Sequence, residues 1–244
     1  MNIKNNNNDL MFSEWVEQVR NLNTQYALET GNTKKFKIDV FGCQMNERDA
    51  ETIAGMLTDM GFEEVTGEAF AHIIVFVTCC VRENAEEKVY GHIGALSKVC
   101  EEEGSIIVAS GCMMQQPHVV EKIKKSYRNV KIVFGTHNIH AFPELLHRYL
   151  TKGKRVFEIK ESADRITEDL PIKRTEKHKA WVNIILGCNN FCTYCIVPHV
   201  RGRERSRKKE DIINEIKALA EDGCKEITLL GQNVNSYGND IGEK

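Results

Sequence analysis

Residues 73–80 read Ile73-Ile-Val-Phe-Val-Thr-Cys-Cys80. The apolar run at 73–77 has no polar alternation. Both faces of such a strand are expected to be buried, as in a parallel sheet with helices on either side. The strand ends in cysteine, and the pattern recurs. Residues 36–41 read as a strand followed by Gly42 and Cys43, and residues 106–109 as a strand followed by Ser110, Gly111 and Cys112. Residues 131–134 form a fourth strand with Gly135 after it, and residues 155–159 a candidate fifth.

Helical patterns separate these strands. Residues 47–60 are stopped by Gly61, residues 84–102 are closed by Gly104, residues 117–125 begin at a proline, and residues 139–150 hold Pro143 in their first turns. The strand–helix alternation predicts an α/β domain over residues 34–159, with a doubly wound parallel sheet of the flavodoxin-like kind. Ahead of it, residues 1–10 are polar, Asn-rich and expected to be disordered. Phe12, Trp15, Val16, Val19 and Leu22 then recur at the spacing of a surface-docking amphipathic helix, which completes residues 1–33. Residues 160–179 (KESADRITEDLPIKRTEKHK) are charged, weakly patterned and read as a linker. Residues 180–244 open a second series: a strand at 180–186, a cysteine-rich loop, a helix at 209–220 and a strand at 226–230. Two strands cannot close a β/α barrel, so the expectation is an incomplete barrel and a truncated chain.

With 244 residues, 41% hydrophobic and 28% charged, the chain has the make-up of one or two globular domains with a real core. A net charge of −2 excludes a globally basic nucleic-acid binder, so any RNA contact must come from local patches. No apolar run has membrane-spanning length, and the N-terminus lacks the apolar core of a signal peptide. Nine cysteines, an odd number, suit no simple disulfide framework. They point to a metal or redox role in a reducing, cytoplasmic setting.

The cysteines fall into two groups. Cys188, Cys192 and Cys195 form a C-x3-C-x2-C run. A closed zinc site wants four ligands, whereas three thiolates can hold three irons of a 4Fe–4S cluster and leave one iron open. Cys43, Cys79 and Cys112 share a position just past the carboxyl end of a strand, where open α/β sheets bind ligands. They can converge on a second three-thiolate site, or they can be small packing residues. Cys100, inside a helix, and Cys224, beside the Gly223 turn, read as structural.

Residues 187–196 (GCNNFCTYCI) resemble the cysteine signature of radical S-adenosylmethionine (SAM) enzymes, with the aromatic Tyr194 before the last cysteine. Residues 187–207 (GCNNFCTYCIVPHVRGRERSR) resemble a narrower family, the tRNA methylthiotransferases. Residues 41–51 (FGCQMNERDAE), 77–86 (VTCCVRENAE) and 111–115 (GCMMQ) are similar to that family's three N-terminal cysteine motifs. GTHN at 135–138 and LGQNVNSYG at 230–238 match further landmarks. There are departures. Val77 stands where the family usually has Asn. Cys80 follows Cys79 directly, which makes a ligand swap conceivable, although Cys79 aligns with the motif. The rest of the barrel and the family's RNA-binding TRAM domain are absent.

The resemblance implies two 4Fe–4S clusters and SAM. Cys188, Cys192 and Cys195 would be the catalytic set, holding the cluster whose open iron binds SAM. Its reduction would release a 5′-deoxyadenosyl radical that takes hydrogen from C2 of an adenosine. Cys43, Cys79 and Cys112 would hold the cluster that presents sulfur, and a second SAM would supply the methyl group. Tyr194, Asn233, Asn235 and Tyr237 are the implied cofactor-binding residues. Arg201, Arg203, Arg205 and Arg207, with Lys208 and Lys209, make a basic run suited to tRNA phosphates.

Residues 42–46 and 82–86 look most like the subgroup acting on N6-isopentenyladenosine next to the anticodon; threonylcarbamoyl-adenosine is the alternative. The implied partners are tRNA and an electron donor such as a flavodoxin or ferredoxin, for a monomer with no membrane contact. The rival classes are a zinc-binding or electron-transfer iron–sulfur module and an inert fragment. The short chain is expected to be inactive alone.

Overall fold

The computed structural model describes residues 3–81, 83–162 and 166–242. Its first unit runs α1 (Ile3–Thr30), β1 (Lys35–Phe41), α2 (Gln44–Asp59), β2 (Glu63–Glu64), β3 (Ile73–Thr78), α3 (Glu83–Ala95), α4 (Ser97–Glu103), β4 (Ile106–Gly111), α5 (Pro117–Ser126), β5 (Val130–Phe134), α6 (Phe142–Lys152) and β6 (Val156–Glu158). The strands form one sheet in the order β2-β1-β3-β4-β5-β6, every pairing parallel. The winding reverses between β1 and β3, which makes the sheet doubly wound and opens a crevice at their carboxyl ends.

The apolar run at 73–77 divides its side chains between two cores. Ile73, Val75 and Val77 face α1, α2 and α6, in a core with Ile53, Leu57 and Leu146. Ile74 and Phe76 face α3 and α5, in a core with Val89, Ile93 and Ile123. All six residues of β3 are buried. This two-faced burial is why the strand reads as continuously apolar.

Three elements differ from expectation. The helix α1 reaches back to Ile3, into the stretch expected to be disordered, while Met1 and Asn2 lie outside the described residues. Asn favours caps and turns over helix interiors, so the Asn run carries no helical signal. The helix expected at 84–102 is divided at Leu96, although Leu96 N–H still donates to His92 O at 3.0 Å and Cys100 N–H to Leu96 O at 2.8 Å. The helix expected at 139–150 opens with a 3-10 turn, Ile139–Ala141, before α6. The helix α1 packs against α6 and α2. Its Val16 and Val19 enter the core, and its Arg20 and Asn23 donate to Asp59 O at 2.6 Å and Met60 O at 2.8 Å, capping the carboxyl end of α2.

The second unit runs β7 (Lys179–Asn183), β8 (Ile185–Leu186), α7 (Val197–Val200), β9 (Arg205–Ser206), α8 (Lys209–Glu221) and β10 (Glu226–Leu230). The parallel pair β7–β10 and α8 make one β/α/β unit around Val182, Ile185 and Ile212. The strand expected at 180–186 breaks at Ile184. Its end, β8, pairs antiparallel with β9, Ile185 opposite Ser206 and Leu186 opposite Arg205. That pair closes the base of the cysteine loop. The linker lies along α2: Lys173 N–H donates to Glu51 O at 2.9 Å and Thr175 N–H to Glu51 Oε1 at 3.1 Å.

Candidate active site at the junction of the two units

Cys43 caps α2. Its carbonyl accepts from Asn46 N–H at 2.8 Å, and Asn46 Oδ1 accepts from Cys43 N–H at 3.3 Å. The buried Asn46 also donates from Nδ2 to Thr78 O at 3.4 Å, tying the end of β1 to the end of β3. Cys79 is held by its own N–H, which donates to Phe41 O at 2.9 Å. Gly111 brings in the third strand end. Its φ is +101°, and a Cβ there would lie 2.3 Å from Thr78 O, so only glycine allows this approach. Cys112 follows and opens a 3-10 turn, Cys112–Gln115.

Four thiols meet here. The neighbouring Cys79 thiol lowers the pKa of Cys43 against the opposing effect of burial. The neighbouring Cys80 thiol and the charge of Arg201 lower that of Cys112, again against burial. Cys79 and Cys80 are pushed up by the same neighbours and by burial.

The second unit reaches into this pocket. The buried Arg201 donates from Nε to Cys112 Sγ at 3.0 Å and from Nη2 to Asp49 Oδ2 at 2.6 Å. The helix α7 packs on the Cys112–Gln115 turn, and Thr136 Oγ1 donates to Val200 O at 2.7 Å. The segment just after Cys195 is thus docked on the carboxyl ends of the first sheet.

The cysteine loop is pinned from below. Gly187 has φ +82°, and a Cβ there would lie 2.1 Å from Arg203 O. Its N–H donates to Gln232 Oε1 at 2.5 Å. Cys188 N–H donates to Gly202 O at 3.1 Å, and Cys195 N–H to Cys192 O at 2.9 Å. Asn189 and Glu204 bond reciprocally, through Asn189 N–H to Glu204 Oε1 at 3.1 Å and Glu204 N–H to Asn189 Oδ1 at 3.2 Å. Cys188 is buried, Cys195 half-buried and Cys192 exposed.

Of the cofactor candidates, Asn233 meets the loop, donating to Glu204 Oε1 at 3.4 Å. Tyr194, at 92% exposure, and Asn235 face solvent, while the Tyr237 hydroxyl donates to Arg207 O at 3.1 Å. Asn46, Asp49, Glu204 and Gln232 were missed as site residues; the cysteines beside them in sequence were the available signal for the first two.

The basic run divides by burial. Arg201 and Arg207 are buried. Arg207 bonds Glu168 Oε1 at 2.9 Å, Asn183 O at 2.8 Å and Glu215 Oε2 at 2.6 Å. Acidic partners from α2, α8 and the linker draw these two inward. Arg205 is half-buried and donates to Arg201 O at 3.2 Å. Arg203 is exposed, its guanidinium 4.5 Å from the ring centre of Phe191, and Lys208 and Lys209 are exposed. A cavity of about 590 Å³ between the units is lined by Arg48, Asp49, His137, Arg201, Arg207 and Glu215 among others.

Among the described residues no three His, Cys, Asp or Glu side chains are arranged to hold a metal ion as they stand. The donor set fits an iron–sulfur cluster nonetheless: soft thiols from three strand ends, with a buried guanidinium to offset negative charge.

Two family profiles divide the chain at the same boundary. Uncharacterized protein family UPF0004 matches residues 35–135, and the Radical SAM superfamily matches residues 182–243. The second match brings with it SAM and a 4Fe–4S cluster. Curated relatives narrow the class. The tRNA-2-methylthio-N(6)-dimethylallyladenosine synthase of Acetivibrio thermocellus is 50% identical over 230 residues, 94% of this chain and 48% of its own length. That of Clostridium perfringens is 55% identical over 219 residues, 89% of this chain and 49% of its own. That of Caldicellulosiruptor saccharolyticus is 47% identical over 230 residues, 94% of this chain and 49% of its own. The chain is similar over most of its length to these radical SAM tRNA methylthiotransferases and spans about half the length of the curated relatives it matches. No helix among the described residues is long and apolar enough to cross a membrane.

Proposed function

We propose that the chain supplies the two thiol sites of an enzyme that adds a methylthio group to C2 of N6-isopentenyladenosine next to the anticodon of tRNA. The observation that carries this reading is the docking of α7, the helix after Cys195, on the turn that Cys112 opens. It sets the two groups of cysteines on neighbouring segments. The names of the relatives support the choice of nucleoside.

On this reading Cys188, Cys192 and Cys195 hold one cluster and leave an iron for SAM. Cys43, Cys79 and Cys112 hold a second cluster, at which sulfur is presented. When bound, these groups supply the one-electron cleavage of SAM, the radical that removes hydrogen from C2, and the sulfur and methyl groups of the product. Arg201 offsets the charge of the sulfur-presenting site and fixes its distance from the other. Glu204 and Gln232 hold the cysteine loop at its base. Asn233 lies beside that loop for the methionine end of SAM, and the exposed Tyr194 is available to its adenine. Arg203, Lys208 and Lys209 contact tRNA phosphates. The enzyme works as a monomer in the cytoplasm and takes electrons from a flavodoxin or ferredoxin.

A chimera tests this. The matched 219 residues of the Clostridium perfringens relative are replaced by those of this chain. The chimera is expressed in cells that make isopentenyladenosine but lack the methylthio step. The expected result is the 2-methylthio nucleoside in digested tRNA, lost on Cys43→Ala. A chimera that carries its clusters yet leaves isopentenyladenosine unchanged contradicts the reading.

A further inference from the structure

Phe191 lies in the cysteine loop, 45% exposed, with a backbone φ of +45°. A bulky side chain seldom adopts that left-handed conformation. Among the described residues only Asp169 shares it without being glycine. A large apolar ring is thus held at the surface on strained backbone, a combination found at ligand clamps.

The ring is held in place. The reciprocal bonds of Asn189 and Glu204 fix the chain two residues before Phe191 and one residue after Arg203. The Arg203 guanidinium lies over the Phe191 ring, 4.5 Å from its centre. His199 of α7 stands at 86° to the same ring, with centres 6.1 Å apart. Arg203 and His199 are both exposed. The neighbours of the ring are therefore a cation and an imidazole, with no aliphatic side chain named among its ring contacts. Residues 199–209 also expose Lys208 and Lys209, and their one carboxylate, Glu204, is engaged by Asn189 and Asn233. A flat apolar surface set in positive charge suits a partner that is itself flat and anionic, which describes a nucleobase on its phosphate backbone.

We infer that Phe191, flanked by Arg203 and His199, is a stacking platform for an unpaired base of the tRNA anticodon loop. The inference rests on the proposed reading of tRNA as the substrate. Bases of single-stranded loops splay out and stack on aromatic rings and guanidinium planes, while basic side chains meet their phosphates. Phe191 directly precedes Cys192, so a base held on it is fixed beside the cysteine loop. The anchored backbone sets the ring before RNA arrives, which reduces the ordering cost of binding. Phe191 is in this sense a positioning residue.

The test is binding of an end-labelled anticodon stem–loop RNA to the chain, followed by fluorescence anisotropy over a salt series. Urea unfolding first establishes that each variant is folded. Phe191→Ala should weaken binding about tenfold or more and leave the salt slope unchanged, since no charge is removed. Phe191→Tyr should bind like the parent, and Phe191→Leu, apolar but without a π face, should bind like Phe191→Ala. Abasic sites are then placed at successive loop positions of the RNA. One position should weaken binding to the parent by about the same factor and weaken Phe191→Ala no further, the signature of a direct pair. Equal affinity of the parent and Phe191→Ala, or of the parent and Phe191→Leu, overturns the inference and leaves tRNA binding standing. A parent that does not bind the stem–loop overturns both.

Discussion

Arg201 Nε donates to Cys112 Sγ at 3.0 Å, joining a side chain of the second unit to a thiol of the first. The same guanidinium holds Asp49 of α2, so a buried ion pair spans the junction on which the candidate site is built. Removing one partner of such a pair leaves the other charged and dry. Arg201→Ala is expected to cost about 3–5 kcal/mol in urea unfolding, and Asp49→Ala a similar amount. The double variant should cost less than the sum of the two, because neither charge is left stranded.

Gly111→Ala should damage the thiol pocket through the backbone. The left-handed φ and the approach to Thr78 O leave no room for a methyl group. The strain is expected to cost about 1–3 kcal/mol and to displace Cys112. Thermal unfolding should show the first effect. Loss of iron from the Cys43, Cys79 and Cys112 site, with iron at the other site retained, should show the second.

His137 makes stability depend on pH. It is buried beside the cavity, its Nε2 has no hydrogen-bond partner, and burial, with the charges of Arg205 and Arg201, pulls its pKa down to about 4. The unfolded chain takes up this proton near pH 6.5 and the folded protein only near pH 4. The contribution is full above about pH 6.5 and is lost as pH falls towards 4, by an amount on the order of 2 kcal/mol. Denaturation across this window should show a steeper loss for the parent than for His137→Gln.

The arginines of the basic run should separate by burial. Arg203→Ala should leave stability unchanged and lower the slope of log affinity for tRNA against log salt by about one unit. Arg207→Ala leaves Glu168 without its partner, while Glu215 keeps Arg48, and should cost about 2 kcal/mol of stability. Urea unfolding and a salt series of filter-binding measurements distinguish the two.

What could be read from the sequence follows from which forces are local. The run at 73–77 and its counterparts define a sheet buried on both faces, and parallel strands place their carboxyl ends on one edge. Cys43, Cys79 and Cys112 could therefore be brought together from the sequence. The division of 84–102 at Leu96 and the short β2 have no such periodic signal. The burial of Arg201 and Arg207 carries no signal in the basic run itself, because Asp49 and Glu168, which pair with them, are remote in the chain. A run of charges says nothing of what folds against it. Asn46, which ties two strand ends together, carries no mark of that role in its own spacing.

The central claim is that the chain holds two separate cluster sites, and counting iron tests it most directly. The chain would be reconstituted anaerobically beside a Cys43/Cys79/Cys112→Ala variant and a Cys188/Cys192/Cys195→Ala variant. The account predicts about eight irons in the parent and about four in each variant, with SAM perturbing the spectrum only where Cys188, Cys192 and Cys195 remain. About four irons in the parent, abolished by one set of substitutions and untouched by the other, would contradict it.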